Sequence, residues 1–405
     1  MEQAWGRFTA RGGEAVETEL TVLATEVARE VEAEVPKDRF HALVLIGGYG
    51  RGEGGVETRN GVERPHNNLD FLLITRDMSP EESAGLHARL DERLALMEST
   101  QGIGLDVSLV SASKLRHAPC LVMWYDMRFG HKTILGDREF VPSLTRFSLE
   151  GIVPGDVLWL LINRGAQMAV NALLLERSTP TEEERRNVVR WAMKAIIGYG
   201  DALLFFSGRY HWSYQEKQRR MASFAEAPEL FRAAYDEAIE FRFQPCYDTY
   251  LSRDLAAWMH DLLHSFERIH MECESQRLNE QGWSWSDYPG LTLRHEAFEE
   301  GWSTVRGAAK KLVGLMRNAA PPAGTPFADG LAYRLTGPRG WLPACYPVVL
   351  YGLEDASLRK WTQEALGAAN DSPTALRLAF MRAWGRHSDP NFFKVARRLG
   401  LPIEP

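Results

Sequence analysis

The hydrophobic pattern of the chain changes near residue 150, and this change limits the folds that the chain can adopt. Before this point, short runs of Leu, Val and Ile alternate with amphipathic segments, which is typical of a mixed α/β domain. After it the strand pattern disappears and the periodicity is helical. Strands are predicted at 42–46, 69–75 and 105–110, and helices at 13–34, 80–98, 153–175, 181–206, 213–223, 228–239, 247–274, 293–318 and within 353–399.

This pattern predicts an α/β region followed by an all-α region. We place an α/β domain at residues 1–150, a helical-bundle domain at 151–320, and a linker with a C-terminal helical segment at 321–405. The linker is predicted because the stretch 319–345 is rich in Pro and Gly. A length of 405 residues agrees with two or three domains.

Composition excludes several classes of protein. The 47 basic and 54 acidic residues give a net charge of −7, so the chain lacks the overall positive charge of a nonspecific nucleic-acid binder. The N-terminus has no apolar signal region, and no stretch approaches 18 uninterrupted apolar residues. The four cysteines are far apart and form no CxxC pair, which indicates reduced thiols. We therefore expect a cytoplasmic protein with no membrane partner.

A glycine-dense loop, Gly47–Gly55, follows the first predicted strand. Glycine allows the backbone to approach a phosphate closely and to point N–H groups at it. The segment Gly50–Gly55 also fits the GxGxxG pattern of dinucleotide-binding folds, but that fold requires a helix at the third glycine. Residues 56–66 are polar instead and contain Asn60-Gly61, a hairpin-turn signal. No P-loop motif occurs in the sequence.

Two further predicted strands, which come after the glycine loop, carry side chains with oxygen atoms suited to a metal ion. Asn68 and Asp70 are two residues apart, so their side chains lie on the same face of a strand. Asp106 lies at the start of the next strand along the chain. Oxygen ligands that converge beside a phosphate-binding turn would hold one or two Mg²⁺ ions and position a triphosphate.

The stretch Gly47–Glu53 resembles the G-[SG]-x-[AG]-R-G-E loop of DNA polymerase β-type nucleotidyltransferases, in which an acidic D-x-D strand and a later Asp follow. Within this superfamily, its motifs most resemble those of the small bacterial branch that includes kanamycin nucleotidyltransferase and the minimal antitoxin nucleotidyltransferases. The resemblance covers about residues 40–140. Two positions differ: Gly48 replaces a frequent Ser, and Asn68 stands at the first Asp of the D-x-D pair.

The resemblance implies a nucleotidyltransferase fold, with a short mixed sheet and helices, followed by a helical bundle. It implies that Asp70 and Asp106 are catalytic and bind Mg²⁺ or Mn²⁺, with Asn68 as a weak third ligand. The residues that it assigns to nucleotide binding are Gly47, Gly48, Gly50, Arg51 and Gly52.

Lys194 is a further candidate for nucleotide binding, because it lies among apolar residues on a predicted helix of the bundle. Two interpretations remain open for this residue. Its ammonium group reaches the triphosphate, or the side chain only extends to solvent at the edge of a helix.

These observations predict transfer of a nucleoside monophosphate from a nucleoside triphosphate to a hydroxyl group, with release of pyrophosphate. The acidic balance favours a small-molecule or protein acceptor over a nucleic acid. The alternative is a nucleotide-binding or protein-interaction protein on the same fold, in which Asn68 marks lost catalysis. A role in a toxin–antitoxin or defence system belongs to this alternative.

Overall fold

The computed structural model describes residues 5–300, 302, 305–322 and 330–405. The chain divides into two compact units. Unit 1 comprises Met1–Asp156 and Ser207–Cys246, and unit 2 comprises Val157–Phe206 and Tyr247–Pro405.

Unit 1 begins with a succession of helices and strands: α1 (Glu14–Glu34), β1 (Phe40–Ile46), α2 (Gly47–Gly50), β2 (Val56–Arg59), β3 (Val62–Pro65), β4 (Leu69–Thr75), α3 (Pro80–Gln101), β5 (Leu105–Ser111), α4 (Ala112–His117), α5 (Val122–Phe129) and β6 (Lys132–Gly136). Two long helices follow, and they lie almost wholly in unit 2: α6 (Pro154–Leu175) and α7 (Glu182–Phe206). The chain then adds two helices to unit 1: α8 (Tyr214–Ala222) and α9 (Glu229–Phe243). The remaining helices belong to unit 2: α10 (Asp248–Leu251), α11 (Leu255–Leu278), α12 (Tyr288–Phe298), α13 (Val305–Arg317), α14 (Gly330–Thr336), α15 (Pro338–Tyr351), α16 (Ala356–Leu366), α17 (Pro373–His387) and α18 (Phe392–Arg398).

A four-stranded mixed sheet forms the centre of unit 1, in the order β5-β4-β1-β6. Strand β1 is antiparallel to β4 and β6, whereas β4 and β5 run parallel. Alternate residues of the central strands, such as Leu43 and Leu73, join a core with Leu20 of α1 and Leu90 of α3. The prediction of a mixed α/β chain is therefore confirmed at the level of a small mixed sheet among many helices.

The segment after the glycine loop forms the predicted hairpin, β2–β3. Its turn residues Asn60 and Gly61 both have positive φ, 51° and 76°, as a type I′ turn requires. A strand rather than a helix therefore follows Gly55, so the dinucleotide-binding alternative does not apply here.

The structure groups helices α8 and α9 with unit 1, whereas the sequence pattern placed residues 151–320 in one helical domain. Helical periodicity shows which face of a helix is buried, but it does not show which neighbour covers that face. Hydrogen bonds from Ser213 and Tyr214 to Glu53 connect this segment to the glycine loop, and they join residues about 160 positions apart.

The stretch that was predicted as a linker, 319–345, is helical over much of its length. Helix α15 contains Pro343 and Pro347, and both prolines are buried. Each proline removes one backbone hydrogen bond, but the apolar surface that this helix buries outweighs the loss. Residues 323–329 of this stretch lie outside the described part of the chain.

Among the described residues one helix, α6, is long and apolar enough to cross a membrane, with a mean hydropathy of 1.3. However, 67% of this stretch is buried inside the protein. Such burial is typical of the core helix of a soluble protein.

Candidate functional site

The two predicted carboxylates lie side by side at one edge of the sheet, where β1 ends and β4 and β5 begin. Asp70 pairs with Ile46 across the β1–β4 ladder and with Asp106 across the parallel β4–β5 ladder. Neighbouring strands are about 4.8 Å apart, and directly paired residues point to the same face. Both side chains are exposed, although the residues before and after each of them are buried. The structure therefore brings Asp70 and Asp106 together.

The glycine loop contacts the Asp70 carboxylate of this pair through Gly47. Gly47 has a φ of 68°, and a Cβ atom at this position would lie 2.9 Å from Oδ2 of Asp70. Only glycine fits both the backbone conformation and the close approach of the carboxylate. The loop backbone and the Asp70 carboxylate therefore border the same space.

Arg51 is directed into unit 1. Its Nη2 lies 2.5 Å from Oδ2 of Asp126, and only 7% of the Arg51 side chain is exposed. Asp126 also accepts a hydrogen bond from the hydroxyl of Tyr210, and the Arg51 guanidinium lies over the ring of Tyr214. Burial acts to lower the pKa of Arg51, but Asp126, Tyr214 and Tyr210 together outweigh it and the pKa is raised. This arrangement gives Arg51 a structural role and differs from the predicted contact with nucleotide.

Glu53, the last residue of the motif, is also structural. It is buried and accepts hydrogen bonds from the Ser213 hydroxyl at 2.5 Å and from the backbone N–H of Tyr214 at 2.8 Å. These donors form the beginning of α8, where a carboxylate satisfies N–H groups that the helix leaves unpaired. Arg51 and Glu53 therefore attach the segment Ser207–Cys246 to the glycine loop.

Arg242, at the end of α9, is a site residue that the sequence did not indicate. Its Nη2 would lie 2.9 Å from a Cβ atom on Gly48, so the guanidinium group lies directly against the loop backbone. It also lies over the ring of Tyr214, at 4.2 Å from the ring centre. The buried Nε of Arg242 has no hydrogen-bond partner within the described part of the chain.

The hydroxyl of Tyr49 connects Gly55, at the end of the glycine loop, to His66. It donates a hydrogen bond to the carbonyl of Gly55 and accepts one from the N–H of His66. Burial raises the pKa of Tyr49 to about 12; Arg242 opposes this shift and Asp70 adds to it. The two hydrogen bonds of the hydroxyl tie the end of the glycine loop to the segment that leads into β4.

Asn68 contacts Asp106 through its nitrogen. Its Nδ2 donates a hydrogen bond of 2.9 Å to Oδ2 of Asp106, which leaves the amide oxygen on the side of Gly104. The predicted weak ligand thus presents a donor, rather than an oxygen, to the neighbouring carboxylate.

Lys194 lies on α7 in unit 2 and is half-buried. Every other residue from Trp191 to Leu204 is buried, so Lys194 is at the edge of a core helix. This position agrees with a lysine that extends its stem along apolar surface.

The donor set at the sheet edge fits one hard divalent cation. Mg²⁺ is commonly held by one or two carboxylates, with water and substrate phosphates as the other ligands. Asp70 and Asp106 supply the two carboxylates. No group of three His, Cys, Asp or Glu side chains suited to a metal ion occurs in the described residues.

Comparison of the chain with known protein families and with curated protein sequences gives no match.

Proposed function

We propose that the chain is a nucleotidyltransferase that transfers a nucleoside monophosphate from a nucleoside triphosphate to a hydroxyl group, and that unit 1 carries the nucleotidyltransferase fold. The observation that supports this proposal most strongly is the pairing of Asp70 with Asp106 at the sheet edge, in contact with Gly47. Two exposed carboxylates beside a glycine backbone suit a triphosphate with its cation.

The glycine loop and Arg242 would bind the phosphates. Gly47 and Gly52 are the partly exposed glycines of this loop, so phosphate oxygens would reach its backbone there, whereas Gly48 and Gly50 are buried. Arg242 adds a guanidinium group next to Gly48, and a guanidinium group donates two parallel hydrogen bonds to a phosphate.

Asp70 would hold a divalent cation, Mg²⁺ or Mn²⁺, together with one oxygen of Asp106 and oxygens of the phosphates. When bound, this cation neutralises charge on the triphosphate and on the leaving pyrophosphate. The protein's own contribution is to fix the two carboxylates at adjacent positions of paired strands, where little reorganisation is needed.

Asp106 would take the proton of the acceptor hydroxyl group. The hydroxyl oxygen forms a bond to the α-phosphorus, the bond from that phosphorus to the bridging oxygen breaks, and pyrophosphate leaves with the electron pair. Asp106 lies on β5, an edge strand of the sheet, so an acceptor has access to it. The net charge of −7 favours a small molecule or a protein as the acceptor.

A nucleotide-binding protein without transfer activity is the second candidate. The hydrogen bond from Asn68 to Asp106 favours it, because this bond occupies a carboxylate oxygen that catalysis would use. The two candidates share nucleotide binding and differ only in pyrophosphate release.

The experiment is to incubate the protein with each nucleoside triphosphate, Mg²⁺ or Mn²⁺ and a set of hydroxyl acceptors, and to measure pyrophosphate. We expect release from wild type and a loss of at least about 100-fold in Asp70→Asn and Asp106→Asn, which corresponds to about 2.7 kcal/mol. Asp77→Asn is the matched control, since this exposed Asp follows the opposite end of β4. Nucleotide binding without pyrophosphate release in wild type would select the second candidate. Absence of both would exclude the proposal.

A further inference from the structure

The orientation of the Asn68 side chain determines what it can contribute to a cation site. Its nitrogen donates to Asp106, and its oxygen would lie 2.5 Å from a Cβ atom on Gly104. Rotating the amide by half a turn would place two acceptor oxygens, from Asn68 and Asp106, against each other. Hydrogen-bond chemistry therefore fixes the nitrogen on the Asp106 side, and the oxygen packs against Gly104.

The Asn68 amide also reduces the electrostatic cost of the carboxylate pair. Asp70 and Asp106 occupy paired positions on parallel strands, and like charges at such positions repel each other. The N–H of Asn68 stabilises the charge of Asp106 without a cation. Asp70 lies beside the Gly47 backbone.

A second divalent cation would need oxygen ligands of its own. Each such ion is normally bound by several oxygens, and charged ligands raise the affinity. In the described ranges no third His, Cys, Asp or Glu joins the two carboxylates. The Asn68 oxygen, which could serve as a neutral ligand, is turned to Gly104.

We propose that the site takes a single divalent cation, and that Asn68 is a positioning residue that holds Asp106 through a donated hydrogen bond in place of a second cation. This inference rests on the proposed function, because it concerns the cation that accompanies the nucleotide. A change of Asn68 to Asp replaces the donor with a carboxylate and creates the ligand that a second cation lacks.

The test counts Mn²⁺ ions per chain by electron paramagnetic resonance, with the full-length protein alone and with an ATP analogue that has a methylene group between the α- and β-phosphates. We expect one Mn²⁺ per wild-type chain with the analogue, and two per chain in Asn68→Asp, with dipolar broadening from the neighbouring ions. Asn67→Asp is the matched control, because it adds the same charge one residue away, and we expect it to bind one ion.

Two Mn²⁺ ions in wild type would overturn the inference whatever the variants do, so it stays testable if Asn68→Asp fails to fold. A count of one in a folded Asn68→Asp, or of two in Asn67→Asp, would also overturn it. Binding of the labelled analogue is measured by dialysis in the same samples. If the analogue binds but the number of Mn²⁺ ions differs from the expected number, only the inference is contradicted. If the analogue does not bind, the proposed function is contradicted.

Discussion

Units 1 and 2 both bury charged groups, but they use them differently. In unit 2, Arg277 forms an ion pair with Glu274 at 2.7 Å, and the two side chains are 0% and 1% exposed. The hydroxyl of Tyr288 donates to Glu274, and Arg277 donates to the hydroxyl of Thr292. In unit 1, the buried charges of Arg51 and Glu53 belong to a loop whose neighbouring carboxylates are exposed.

This difference shows that a buried polar network by itself does not identify a site. The unit 2 ion pair is buried and its members hydrogen-bond to further side chains, so it contributes to stability and specificity of packing. In unit 1 the buried charges position a loop, and the exposed Asp70 and Asp106 beside it are the proposed ligand-binding carboxylates. Substitutions in unit 2 should therefore change stability, and substitutions at the sheet edge should change ligand binding.

The largest expected effect is that of Arg277→Met in unit 2. This change leaves the Glu274 carboxylate buried without its cation, and we expect the free energy of unfolding to fall by about 3–5 kcal/mol. Urea denaturation followed by tryptophan fluorescence measures this change. Arg268→Met is the control, because Arg268 is exposed on the same helix, α11. Equal effects of the two substitutions would contradict the assignment of a buried ion pair.

The next effect concerns pH and His270, which is fully buried in unit 2 and contacts the hydroxyl of Tyr351 at 3.1 Å. Burial lowers the pKa of His270 to about 4, from an ordinary value of 6.5. The unfolded chain therefore binds the proton more readily, and stability is lost as the pH falls from 6.5 towards 4.

We expect this loss to amount to about 2–3 kcal/mol and to disappear in His270→Phe. The measurement is urea denaturation of both proteins at several pH values, with the difference in stability plotted against pH. His264→Phe is the control, since His264 is exposed on the same helix. A difference that stays constant between pH 6.5 and 4 would argue against a neutral, buried imidazole.

The smallest effect is that of Arg242→Met at the glycine loop of unit 1. Removal of this guanidinium group should weaken binding of a nucleoside triphosphate with Mg²⁺ by about tenfold, or about 1.4 kcal/mol. Calorimetric titration measures the dissociation constant. Arg232→Met is the control, because Arg232 is half-buried on the same helix but lies ten residues away, about 15 Å along the axis. Similar affinities of the two variants would show that Arg242 does not bind phosphate.

The sequence predicts the parts of the site that depend on local pattern. Strand alternation places the Asp70 side chain on one face of its strand. The spacing of the apolar runs predicts that Asp106 lies on the next strand of the core. The roles of Arg51 and Arg242 could not be obtained in this way. Arg51 matches a motif position, but its orientation depends on Asp126, and Arg242 reaches the loop from a helix about 190 residues further along the chain.

The fold shows the same limit. The capping box at Ser79 and Glu82 and the turn at Asn60-Gly61 are encoded within a few residues, and both are present in the structure. The helix α15 contradicts the Pro- and Gly-rich composition of its segment, because tertiary burial outweighs local propensity.

The division of unit 1 into two stretches of sequence has a consequence for protein engineering. No single cut of the polypeptide yields unit 1 alone: a fragment that ends at Cys246 keeps Val157–Phe206 of unit 2, and a fragment that ends near residue 156 loses Ser207–Cys246. Such a fragment would expose Glu53 without the N–H groups of α8 and would lack Arg242. Transfer of the glycine loop and its carboxylates to another protein therefore requires both stretches, joined by an artificial connection in place of residues 157–206.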